Sequence, residues 1–140
     1  MSALTTSRNT PERVSRSRQF EADGTIYCGG LVAVNSSGKA VAASDSAGLQ
    51  VVGRAEHNAL SGEKISVCGG CFAYDGSGFT KADIGKAAYV SDDQTVAKSS
   101  TNKIIAGAVF DVDSNGVWIN VGLPAIPAHT HVKADITDLT

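Results

Sequence analysis

Ala108-Val109-Phe110-Asp111-Val112-Asp113-Ser114-Asn115-Gly116-Val117-Trp118-Ile119-Asn120-Val121 carries apolar side chains at every second position after its polar middle: Val117, Ile119 and Val121. Trp118 and Asn120 fall between them. A period of two belongs to a strand with one buried face, because successive side chains leave the pleat on opposite sides. Asp113-Ser114-Asn115-Gly116 is turn chemistry: Gly supplies positive φ, and Asp, Ser and Asn bond their own backbone. The segment therefore predicts a β-hairpin, with residues 108–112 folded back on 117–121.

The same alternation of short apolar runs and turn residues extends back to residue 21. Further strand-like runs are 25–28, 31–35, 39–44, 49–56, 64–67, 71–74, 87–91 and 95–98, with the hairpin arms themselves reading as 104–112 and 116–121. They are rich in Val, Ile, Ala and aromatics. Between them lie Asn35-Ser36-Ser37-Gly38, Asp45-Ser46-Ala47-Gly48, Asp75-Gly76-Ser77-Gly78 and Asp92-Asp93. Strands at this spacing predict an all-β fold, a small β-sandwich or barrel. No helical period of any length appears. One helical or 3₁₀ turn is expected at Lys81-Ala82-Asp83-Ile84-Gly85-Lys86.

The 140-residue chain is the size of one domain, and 42% hydrophobic residues against 19% charged supports a core. Fifteen Gly against one Met and one Trp fit many tight turns rather than a helical bundle. A net charge of −2 is not that of a chain built to coat nucleic acid. No apolar run is long enough for a spanning helix, and residues 1–20 lack the apolar stretch of a secretory signal, so neither membrane nor export is expected.

Charge divides the chain unevenly. Within residues 1–20, Arg8, Arg13, Arg16 and Arg18 stand against Glu12 alone, a net of +3, which leaves −5 on the other 120 residues. These 20 residues read as an extended basic arm with little to anchor a core. Val14, Arg16 and Arg18 are spaced to share one face of an extended chain. Arg13, Arg16 and Arg18 are the candidate partner-binding residues, since guanidinium groups suit forked bonds to carboxylates. After Gly122, Pro124 and Pro127 mark a strand-ending linker into a polar tail. The expected organisation is an arm over 1–20, a β-sandwich or barrel over 21–122, and a linker with tail over 123–140.

Little here is chemistry-bearing. Cys28, Cys68 and Cys71 are an odd count without a secretion signal, which argues against a disulfide framework. Cys68-Gly69-Gly70-Cys71 has C-x-x-C spacing, but a zinc site wants a second pair and a thioredoxin motif wants a helix. It lies between two strand-like runs, and its cysteines read as small apolar residues beside a bulge or turn. Asp111 and Asp113 would share a strand face, and read as surface charge with one of them serving the turn. His57 has no assignable nucleophile. No nucleophile elbow, zinc-protease helix or phosphate-binding loop is present, and no enzyme activity is expected.

Taken in order, Tyr27-Cys28-Gly29-Gly30-Leu31-Val32, Gly38-Lys39-Ala40-Val41-Ala42, Val52-Gly53-Arg54-Ala55, Ala82-Asp83-Ile84-Gly85-Lys86, Tyr89-Val90 and Gly116-Val117-Trp118-Ile119 resemble small bacteriophage proteins encoded beside the major capsid protein. Those are capsid decoration, cement or head-fibre base proteins. Ala128-His129-Thr130-His131-Val132-Lys133-Ala134-Asp135-Ile136-Thr137-Asp138-Leu139 is similar to a segment of phage head-fibre and tail-fibre proteins. The resemblance implies a structural protein of the virion. It would dock on the capsid surface, with the major capsid protein as partner, as a homotrimer assembled in the host cytoplasm. It implies no catalytic residues. In such a trimer, His129 and His131 at i and i+2 would bring six imidazoles to a three-fold axis, a set that suits a transition metal. No other cofactor is expected. Two other readings remain at this stage: a fibre or adhesin module contacting the host surface, and a small metal-binding enzyme domain using Cys68, Cys71 and a His.

Overall fold

Among the described residues ten strands form in chain order: β1 (Ser17–Glu21), β2 (Leu31–Val34), β3 (Ala40–Ala42), β4 (Gln50–Ala55), β5 (Lys64–Cys68), β6 (Gly70–Tyr74), β7 (Ala87–Val90), β8 (Val96–Ala97), β9 (Ile105–Asp113) and β10 (Gly116–Val121). The computed structural model describes residues 3, 5–8 and 17–122. Two antiparallel five-stranded sheets, in the orders β1-β5-β4-β2-β3 and β6-β10-β9-β7-β8, make an all-β sandwich. The chain fills the first sheet with β1 to β5 and the second with β6 to β10.

The hairpin forms as its alternation predicts. Gly116 pairs Asp113 and Trp118 pairs Asp111 around a two-residue turn, and Asp113 Oδ1 accepts the Asn115 N–H at 2.8 Å. Val117, Ile119 and Val121 are buried, while Trp118 and Asn120 are only partly covered. The register then slips: Ile119 pairs Val109, so Phe110 is an extra residue on β9 and stands 59% exposed. A bulge of this kind bends the strand and increases its twist.

The main core lies between the sheets, where Leu31 and Ala33 of β2 meet Val90, Val109, Val117, Ile119 and Val121. Val32 points the other way and joins a second cluster with Ile26, Ala59, Ile65 and Val67. Three consecutive residues, Leu31, Val32 and Ala33, are thus fully buried, and the first sheet is covered on both faces. The run 25–28, expected as a strand, supplies part of that cover. It makes a single bridge, with Ile26 and Ala59 exchanging N–H···O bonds of 2.9 Å, and Ile26 is buried over the second cluster. Its role is a lid residue rather than a ladder.

Two boundaries move. The expected arm ends at residue 20, but 17–20 belong to β1, which pairs β5 from Ser17↔Cys68 to Glu21↔Lys64. An edge strand needs main-chain pairing and little apolar content, and Phe20 alone packs on the second cluster. Cys68 closes β5 and Gly70 opens β6, so the C-G-G-C stretch is where the chain leaves one sheet for the other. The turn expected at 81–86 is the 3₁₀ turn Lys81–Asp83. Residues 123–140 lie outside the described residues.

Candidate functional site

Where β2 begins and β6 ends, the segment 91–95 ties the two sheets together. The Leu31 N–H donates to Asp93 O at 2.8 Å, the Asp75 N–H donates to Gln94 O at 3.1 Å, and the Val96 N–H donates to Asp75 O at 2.8 Å. Within the segment, the Ser91 and Asp92 N–H groups both donate to Thr95 O, and Asp92 Oδ1 accepts the Gln94 N–H at 2.9 Å. Asp75 and Asp93 therefore rise from backbone anchored on both sides.

Between this segment and residues 27–30 lies an open cleft of about 450 Å³, floored by residues 73–75 and bounded by Asp93 and Gln94. Tyr74 is buried and its hydroxyl donates to Gly29 O at 3.2 Å. Burial, opposed by the Arg54 charge, pushes its phenol up to about 12, so the hydroxyl stays a donor. The Asp93 carboxylate lies over Gly30, with Oδ2 3.3 Å from where a Cβ would stand. Neither Asp75 nor Asp93 has a side-chain hydrogen bond or ion pair among the described residues. The Arg54 guanidinium stands beside the cleft, with Nη2 3.7 Å from where a Gly29 Cβ would be, and sits 5.2 Å from the Phe72 ring centroid. At the rim, the Tyr27 ring is 63% exposed and the Cys28 thiol donates to Glu56 O at 3.5 Å.

The second surface is β1. Its residues are exposed except for half-buried Phe20, and only β5 pairs with it. Arg18, the one candidate partner-binding Arg among the described residues, lies with its guanidinium 5.4 Å from the Phe20 ring centroid. Its Nη2 donates to Val52 O at 3.5 Å, so the side chain is laid across the sheet. Ser17 Oγ donates to Glu56 Oε2 at 3.3 Å, at the start of β1. Arg13, Arg16, His129 and His131 lie outside the described residues, and so does the three-fold metal site expected from the His pair.

Other singled-out residues have structural roles. His57 Nε2 accepts the Ser66 N–H at 3.1 Å and Nδ1 contacts Asn58 O at 2.9 Å, so Nδ1 carries the proton and both ring nitrogens serve backbone. Asp111 accepts the Lys81 ammonium at 2.7 Å, which with the Val112 N–H holds its carboxyl below the usual range. Asp113 belongs to the hairpin turn. The three cysteines are free thiols, and burial, aided by the Asp111 charge, pushes Cys71 up, away from thiolate chemistry. Among the described residues no group of three or more His, Cys, Asp or Glu stands together as a metal-holding set.

Sequence reasoning missed the cleft. Asp75 and Asp93 read as ordinary turn residues and Tyr27 as part of a strand; no local signal marks residues that converge only when two sheets are stacked. No family model matches the chain, and no curated protein matches it.

Proposed function

We propose that this chain is a structural virion protein that binds the outer surface of an assembled phage capsid and stabilises or decorates it, with its C-terminal segment as the base of a head fibre. The observation that carries the reading is β1. Residues 17–20, the end of the basic segment, are stitched to the sandwich in an exposed edge strand, paired on one side only. An open edge presents unpaired N–H and C=O groups that suit an extended partner or a neighbouring copy. The charge asymmetry, +3 on residues 1–20 against −5 on the remainder, suits a sandwich held off an acidic surface by a basic segment. The resemblance of residues 24–121 to capsid-decorating proteins supplies the partner class. A protein that binds only the assembled lattice stabilises that lattice by mass action.

The test is cosedimentation of the purified chain with capsids assembled from phage major capsid protein. Saturation at a fixed number of copies per capsid, with weakened binding in an Arg13→Gln/Arg16→Gln variant, is the expected result. Absence of binding to both procapsids and expanded capsids would overturn the reading.

A further inference from the structure

The two sheets are covered unequally. On the first, Phe20, Ile26 and Ala59 pack over the outer face. The second sheet sends its inner side chains into the main core, and among the described residues no apolar cluster forms on its outer side. That outer side is itself apolar. Val117, Ile119 and Val121 face the core, so Trp118 and Asn120 face out; Ala88 and Val90 face the core, so Ala87 and Tyr89 face out. Paired residues of neighbouring strands share a face. Trp118 pairs Ala73, Asn120 pairs Cys71 and Ala108, Ala87 pairs Ala108, and Tyr89 pairs Ile105 and Ala97. Small side chains thus floor a trough with the Trp118 ring towards one end and the Tyr89 ring towards the other. All of them are only partly covered. We propose that Leu123-Pro124-Ala125-Ile126-Pro127-Ala128 of the same chain, which lies outside the described residues, docks in this trough as a polyproline segment. The inference does not depend on capsid binding.

Chemistry and reach both select this occupant. The trough offers donors: the Trp118 indole N–H, the Asn120 amide and the Tyr89 hydroxyl have no hydrogen bond among the described residues. A polyproline helix makes no internal hydrogen bonds, so its carbonyls are free acceptors, and Pro124 and Pro127 have no N–H to leave unsatisfied. Proline-rich segments dock on aromatic-lined grooves for this reason. All six residues are uncharged and apolar, as the trough requires. The chain also leaves the sheet at the right place. β10 ends at Val121, and Gly122 has φ of +77°, a conformation that lets the chain reverse. Trp118 lies four residues back along β10, about 13 Å at the rise of a strand. The four residues from Gly122 to Ile126 span about 12 Å as polyproline. Ile126 therefore reaches Trp118, while Leu123 starts beside Ile105 and Tyr89. Attachment to β10 makes the docking intramolecular, which raises its effective concentration over any free partner.

Trp118 is the only tryptophan, so the fluorescence of the full chain reports on the trough. Blue-shifted emission, poorly quenched by acrylamide and independent of protein concentration, is expected. Leu123→Ser/Ile126→Ser removes two apolar anchors without touching the sandwich and is expected to lower the docking constant roughly ten- to hundredfold. Emission then moves to the red and quenching rises, while the far-ultraviolet circular dichroism of the sandwich stays as in the parent. The second readout is nuclear Overhauser contact between the Trp118 and Tyr89 ring protons and the Leu123 and Ile126 methyl groups, present in the parent chain. Equal emission and quenching in parent and variant, or absence of those contacts, would overturn the proposal. Protection of Trp118 that fades on dilution, or contacts found only between differently labelled copies, would overturn the assignment to the same chain and place a second copy in the trough.

Discussion

Gly107 lies on β9 just before the bulge, with φ of +157°, and a Cβ there would land on the Asn120 carbonyl oxygen. The neighbours are backbone of a central strand and cannot swing aside. Gly107→Ala is therefore expected to cost roughly 3 kcal/mol, the upper end of the overpacking range, measured by chemical denaturation against the parent chain. Asp83 is a second determinant. It is buried, accepts the Thr80 N–H at 2.8 Å, and has Lys98 at 3.4 Å and Lys86 at 3.9 Å. The Thr80 hydrogen bond, aided by the two ammonium groups and opposed by burial, holds its carboxyl below the ordinary value of 3.8. A carboxylate depressed in the folded state adds stability above its unfolded pKa, and that stability is lost as pH falls through the folded value. The melting temperature should hold on acidification to about pH 4 and drop below it. Asp83→Asn should melt lower at neutral pH and lose less on acidification; parallel curves for the two proteins would show that Asp83 does not carry the effect.

At the scale of elements, β1 takes residues 17–20 of the basic segment into the sandwich. The chain starting at Ser17 retains the whole β1–β5 ladder and the Phe20 contact. Its melting temperature is expected to match that of the full chain. A chain starting at Ala22 loses both, and the half-buried Phe20 ring alone accounts for about 1.5 kcal/mol, the lower end for a buried aromatic. Capsid binding is expected to fall already in the first truncation, where stability is intact. If the two truncations melt alike, β1 is not a stabilising part of the sandwich. The lid at Ile26 belongs to the same scale: a residue read as a strand covers the outer face of the first sheet because Val32, Ile65 and Val67 need an apolar neighbour there.

At the scale of the molecule, four strands end a sheet: β1 and β3 in the first, β6 and β8 in the second. Short edges such as the three residues of β3 and two of β8 are poor templates for further pairing. The five-residue β1 and β6 are longer. A closed ring of copies covers such edges without leaving an open interface, and three-fold closure agrees with the proposed fibre base. Light scattering of the full chain at micromolar concentration is expected to give the mass of three chains. A single-chain mass, both free and after release from capsids, would rule the trimer out.

Most of the strands and turns are local matters, and the sequence by itself determined those. Alternation at Val117, Ile119 and Val121 set the buried face of β10, Asp113-Ser114-Asn115-Gly116 set the hairpin, and the absence of helical period left only the 3₁₀ turn at Lys81–Asp83. Each depends on residues within a few positions of one another, through the pleat and the φ values that Gly, Asn and Asp allow. Only the tertiary structure decided which sheet each strand joined, that Ser17–Glu21 would be recruited as an edge, that Ile26 would be a lid, and that Asp75 and Asp93 would face one cleft with Tyr27. Those outcomes rest on main-chain bonds and side-chain packing between residues tens of positions apart. Locally, an edge strand looks like a polar arm, and a cleft-lining carboxylate looks like any Asp in a turn.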